Sequence, residues 1–191
     1  MRPVIFVLIG FSIAMGVGDP ARGNTYVYEG VAFDTKVRVA GEDLNLKGVA
    51  LGKYALLFKV GVAALYGPSD PRLTSLQPPD RPLRLEIEYL MDISRERFIE
   101  AAMKTLRNQH SESTLRRYSN EIGRMHSFYR DVEKGDRYAL TYHPTIGTTL
   151  ELNGKFLGVV PSPEFARLYF GIWLGENPVS DSLREGLLGL K

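Results

Sequence analysis

Three histidines, a run of carboxylates at residues 131–136 and a set of tyrosines on periodic segments are the side chains that could do chemistry in this chain. Histidine suits proton transfer or metal ligation, but His110, His126 and His143 stand apart, without the H-x-x-x-H spacing that puts two ligands on one helix face. His126 reads as a helix-surface residue and His143 as a strand-end residue. Asp131, Glu133 and Asp136 surround a Lys-Gly turn, where solvated carboxylates are a better reading than a cation site. Tyr118, Tyr129 and Tyr169 could line a cavity, although their helical spacing favours a place in the core. There is no G-x-S-x-G elbow, no P-loop and no G-x-G-x-x-G fingerprint. Cysteine is absent, which removes thiol nucleophiles, disulfides and a lipoprotein acylation site together. No metal or cofactor is expected.

The elements that would position these groups are legible in part. Thr25 to Phe33, Lys36 to Ala40 and Leu44 to Leu51 are strand candidates. Lys53 to Tyr66 is apolar on both faces and is expected as a central buried strand. Leu83 to Leu90 alternates, with Leu83, Leu85, Ile87 and Tyr89 inward and Arg84, Glu86 and Glu88 outward. Ser94 opens a helix to about Asn108, with Phe98, Ala101, Ala102, Thr105 and Leu106 inward. A second helix, Ser113 to about Tyr129, carries Leu115, Tyr118, Ile122, Met125 and Tyr129 at 3/4 spacing.

The last third forms one unit. Arg137 to His143 and Thr148 to Leu152 alternate as strands do, and Asn153-Gly154 predicts a type I′ hairpin, whose two central residues need positive φ. Lys155 to Val160 returns as the partner. Ser162-Pro163 opens a helix with Ser as N-cap and Pro at its first position. Phe165, Leu168, Tyr169, Ile172 and Trp173 form its apolar face, and Gly175 ends it. A short helix opened by Ser180 or Asp181 closes at Gly189. Strands, two helices, strands and two helices make an α+β chain, with helices on one face of a curved antiparallel sheet.

The order KGDRYALTYHP, LELNG and FARLYFGIWLGENPVSDSLREGLLG resembles the bacterial branch of the chalcone isomerase-like family. The segment Leu46 to Tyr66 (LKGVALGKYALLFKVGVAALY) is similar to that family's core strand pair. The matches run from about Val31 to Leu190. This resemblance implies the open-faced β-sandwich of chalcone isomerase, in agreement with the architecture read from the pattern.

In plant chalcone isomerases an Arg precedes the central strand, a Thr or Tyr pair holds an ordered water, and the following helix carries a Tyr and an Asn. Fatty-acid-binding relatives use the Arg and a Tyr to hold a carboxylate. Here the matching turn reads Gly48-Val49-Ala50-Leu51-Gly52-Lys53-Tyr54, so Lys53 stands in place of the Arg. Gly61 falls at the water-binding Thr, and the helix Ser94 to His110 contains no Tyr. By the resemblance, the ligand-binding candidates are Lys53, Tyr54 and Asn108, with Lys53 pointing between core strand and helix; an ordinary strand-edge lysine is the plainer reading. Lys is a point charge where Arg offers a planar fork, so chalcone ring closure is not expected.

Met1-Arg2 followed by the uncharged apolar run Pro3 to Val17 and by Ala21-Arg22-Gly23 has the layout of a secretory signal peptide. The run is shorter than the ~20 residues of a spanning helix, which disfavours an uncleaved anchor. Cleavage after Gly23 would leave 22 basic and 21 acidic residues, so the sequence pI of 8.8 overstates basicity. Arg116-Arg117 and the Arg95/Arg97 pair sit on periodic helices as solvated faces, and nucleic acid is excluded as a partner. The expectation is a signal peptide over 1–23 and one chalcone isomerase-like domain over 24–191, exported to a periplasm without a stable membrane span. It is expected to be non-catalytic, holding a small hydrophobic or acyl ligand or acting as an accessory protein. The rival is an isomerase (an intramolecular lyase) of unknown substrate.

Overall fold

The computed structural model describes residues 24–54, 58–69 and 81–190. The expected signal peptide lies outside these residues. Seven antiparallel strands form one meander in spatial order: β3 (Lys36–Val39), β4 (Glu42–Tyr54), β5 (Phe58–Gly67), β6 (Leu83–Tyr89), β7 (Arg137–His143), β8 (Gly147–Leu152) and β9 (Lys155–Val160). A separate hairpin, β1 (Thr25–Tyr28) and β2 (Val31–Asp34), precedes them. Helices α1 (Arg95–Gln109), α2 (Glu112–Arg117) and α3 (Ser119–Phe128) are inserted between β6 and β7. After β9 come α4 (Pro163–Leu174) and α5 (Asp181–Leu187). The expected α+β class, with helices on one face of a curled antiparallel sheet, is what the chain adopts.

Each sheet face buries its own core. Ala63, Leu65, Leu85, Tyr89, Leu140 and Leu150 face the helices. On the other face, Val62, Ala64 and Tyr66 of β5 meet Val31 and Phe33 of the β1–β2 hairpin. Because β5 is covered on both sides, it is apolar on both sides, as its sequence predicts. The same cover explains a departure on β6. Glu86, expected toward solvent, is buried, because the hairpin roofs it and Arg84 and Arg137 neutralise it.

Several boundaries differ from expectation. Thr25 to Phe33 is two strands, turning at Glu29-Gly30 with φ of 50° and 81°. Ala40-Gly41 makes a second turn of this kind, φ 48° and 91°, between β3 and β4. Lys53 and Tyr54 end β4 rather than begin the central strand. The expected second helix breaks at Tyr118, φ −100° and ψ 17°, into α2 and α3. Ala101 is exposed, since α1 turns its Ala102–Leu106 stripe toward α4. Other signals hold as expected: Asn153-Gly154 adopts φ 51° and 75°, and the Ser162 hydroxyl accepts from Phe165 N at 3.2 Å. Ser180 rather than Asp181 caps α5.

Candidate functional site

Where the sheet meets α1, α3 and α4, the core turns aromatic and polar at once. Tyr89 lies at the end of β6, Phe98 on α1, His126 and Tyr129 at the end of α3, Tyr138 on β7 and Tyr169 on α4. Phe98 stacks on Tyr129 with ring centroids 5.5 Å apart and meets Tyr89 and Tyr138 edge-on at 5.1 and 5.6 Å. Tyr169 stacks on Phe165 at 5.0 Å and touches the single tryptophan, Trp173, at 6.2 Å. These contacts follow from spacing: Phe165, Tyr169 and Trp173 are four residues apart and share one face of α4.

The Tyr129 and Tyr169 hydroxyls are 2.9 Å apart, buried, and among the described residues bond only to each other. One of the two donates, so the hydrogen of the other has no acceptor. His126, expected on the helix surface, is instead buried with 8 % exposure, its ring 6.1 Å from that of Tyr169 and 6.2 Å from that of Tyr129. Among the described residues its Nε2 has no hydrogen-bond partner. By contrast Tyr138 is fully satisfied, since its hydroxyl accepts from Arg130 N at 2.7 Å and donates to Arg130 O at 3.0 Å.

Among the described residues, the side chains that form this cluster carry no charge near neutral pH. The Arg130 guanidinium is engaged by the carbonyls of Ser127, Phe128 and Tyr129, and Arg95 Nη2 by the carbonyl of His126 at 3.3 Å. Burial raises the Tyr89, Tyr129 and Tyr169 phenols well above their ordinary range. Burial also lowers the His126 imidazole to about 4, helped by the Arg95 charge. Near neutral pH the cluster therefore presents neutral phenols and a neutral imidazole. Such groups can donate and accept hydrogen bonds, but they are poor acids and poor bases.

Of the residues implied by the resemblance, Lys53 and Asn108 lie away from this cluster. Lys53 is exposed and pairs across the ladder with Lys59, whose Nζ is 2.6 Å from Glu29 Oε2 in the β1–β2 turn. Cross-strand partners share a face, so Lys53 lies on the hairpin side of the sheet, away from the helices. Among the described residues it forms no hydrogen bond or ion pair. Asn108 is exposed in the last turn of α1. The side chain of Tyr54 lies outside the described residues. At Gly61, an added Cβ would stand 2.7 Å from the Glu88 carbonyl oxygen and 3.2 Å from Ile87 Cγ2, so no strand hydroxyl fits there.

Other polar groups have structural employment. Asp131 accepts from Arg95 N and so caps α1, while Asp136 accepts from Glu133 N and Asn153 Nδ2. Among the described residues no group of His, Cys, Asp and Glu could hold a metal. His143 Nδ1 accepts from the Thr145 backbone, which leaves the proton on Nε2 for Glu42 at 3.3 Å. On the hairpin face Arg84 joins Glu86, Thr141 and Glu151, and Arg137 joins Glu86 and Glu88. An open hollow of about 340 Å³ on the outer side of α4 is lined by His110, Thr114, Tyr118 and Arg167 with Glu164 beside them. No helix among the described residues is long and apolar enough to cross a membrane.

Comparison with solved structures finds the same fold in a fatty-acid binding protein of Arabidopsis thaliana, with a TM-score of 0.68 and 17 % sequence identity. The superposition covers 86 % of this chain and 96 % of the plant protein. No curated protein matches the chain in sequence. The sequence profile of the chalcone isomerase-like family matches residues 26–189, nearly all of the described fold, and the chain belongs to that family.

Proposed function

We propose that this protein is an exported, non-catalytic member of its family, of a bacterial secreted branch, that holds a small apolar or acyl ligand between sheet and helices. The observation that carries the reading is the Tyr129–Tyr169 hydroxyl pair beside the unpartnered His126 Nε2. A core built for stability alone closes its polar groups on one another, because an unsatisfied buried donor costs ~1–3 kcal/mol. Here donor and acceptor capacity is left over inside an aromatic layer, where the head group of a ligand can use it. The groups are held far from neutral titration, which disfavours proton-transfer chemistry. The plant structure's fatty-acid binding supports an apolar ligand, and the charge-free run at residues 3–17 behind Arg2 supports export to the periplasm.

Native mass spectrometry of the protein isolated from its own periplasm tests the reading. A retained acyl or apolar adduct is expected, with an N-terminus near residue 24. Cytoplasmic retention of Met1 removes the export part. The alternative, an isomerase or intramolecular lyase, predicts chalcone turnover above the uncatalysed rate, and finding it would replace the binding reading. An accessory role through a protein partner would instead give co-purification of that partner with no small-molecule adduct.

A further inference from the structure

We infer that the head group recognised at the Tyr129–Tyr169–His126 cluster is an uncharged oxygen acceptor, the carbonyl of an ester, ketone or undissociated acid, and not a carboxylate; this rests on the proposed binding role. The free hydroxyl hydrogen of the tyrosine pair asks for an acceptor. Among the described residues, the cations nearest the cluster already spend their N–H groups on backbone carbonyls or lie on the other face. Arg130 sits on three carbonyls, Arg95 on the His126 carbonyl, and Lys53 belongs to the opposite face of the sheet. A carboxylate brought into this layer would be a buried charge with no directly paired cation, and burying it so costs far more than one hydrogen bond returns. An ester or ketone oxygen carries no such penalty, and a phenol donor satisfies it. The apolar remainder meets Phe98, Phe165 and Trp173. Phe98 is the half-buried ring laid across the cluster from α1, so an occupant enters by displacing it. The burial that keeps the phenols protonated keeps them donors across the working pH range.

Trp173 is the only tryptophan in the chain and lies against Tyr169, so its fluorescence reads occupancy directly. The full chain without its leader is titrated with three probes of equal chain length: methyl decanoate, decanoate and decane. Methyl decanoate is expected to bind about tenfold or more tighter than either of the others, the equivalent of one well-made hydrogen bond. Tyr129→Phe combined with Tyr169→Phe is expected to remove that advantage, so that ester and alkane bind alike. Decanoate binding as tightly as the ester would overturn the inference, because a cation would then have to reach the site. Equal binding of decane and ester would also overturn it, since no head group would be read. If a folded protein binds none of the three, it is the underlying binding role that fails. The wild-type comparison stands even if the double variant folds poorly.

Discussion

Gly48 of β4 and Gly186 of α5 meet backbone to backbone: a Cβ on Gly48 would overlap the Gly186 carbonyl, and one on Gly186 would stand 2.7 Å from the Ala50 Cβ. Helix α5 can lie directly on the sheet only because both positions lack a side chain. Gly48→Ala or Gly186→Ala should therefore destabilise the fold by about 2–3 kcal/mol, although alanine normally favours a helix. Urea denaturation would show it as a lower midpoint at unchanged slope, and an unchanged midpoint would mean that α5 shifts freely.

Gly61→Thr puts back the strand hydroxyl that the family resemblance leads one to look for. With Glu88 O and Ile87 Cγ2 in the way, the expected result is a loss of about 1–3 kcal/mol and no gain of chalcone turnover. Thermal melting together with an isomerisation assay separates the two effects.

Stability should fall as the solution is acidified from about pH 6.5 toward about 4, through His126. The sign follows from its lowered pKa in the folded state. Between the unfolded value, near 6.5, and the folded value of about 4, the unfolded chain binds the extra proton. Partial solvent screening brings the expected contribution to about 1–3 kcal/mol. In His126→Phe this component of the pH profile should vanish, as denaturant melts across that range would show.

On the hairpin face, among the described residues, Arg84 alone bridges Glu86 and Glu151, at 2.8 and 3.0 Å. Replacing it by Met leaves Glu86 to Arg137 alone, in a place where its side chain is 9 % exposed. A loss of about 2–4 kcal/mol is expected, with partial recovery in the Arg84→Met/Glu86→Leu double variant, whose charges leave together.

Lys53→Met should leave probe binding and stability nearly unchanged, since its side chain is exposed on the face away from the helices. A large loss of decanoate affinity in the Trp173 titration would restore Lys53 as an anion-holding residue.

What was legible and what was not have separate causes. The Asn153-Gly154 turn could be read because Asn and Gly both tolerate positive φ. The Glu29-Gly30 turn could not, since Glu seldom adopts it, and so Thr25 to Phe33 reads as one strand; Ala40-Gly41 carries the same positive φ, but there the break between strands is legible. His126 was within reach: it lies four residues after Ile122 and next to Met125, inside the buried stripe, and its polarity masked that position. The face of Lys53 was out of reach. The ladder slips between Gly52 and Lys53, opposite Lys59 to Gly61, and such a slip reassigns side chains to faces. Tyr129 and Tyr169 were recognisable as inward-facing, but that two helices would bring their hydroxyls together depends on tertiary packing that no local pattern encodes.

The last residue of α1, Gln109, donates through Nε2 to the carbonyls of Gly171 and Asn177, both at 2.7 Å. Those carbonyls belong to the final turn of α4 and to the segment leading into α5, which rests on β4. The three helices thus behave as a lever with one pin. Motion of α1 that uncovers the tyrosines pulls on the seat of α5, so the helical layer should open as one cooperative unit, with amides of α1, α4 and α5 exchanging at a common rate.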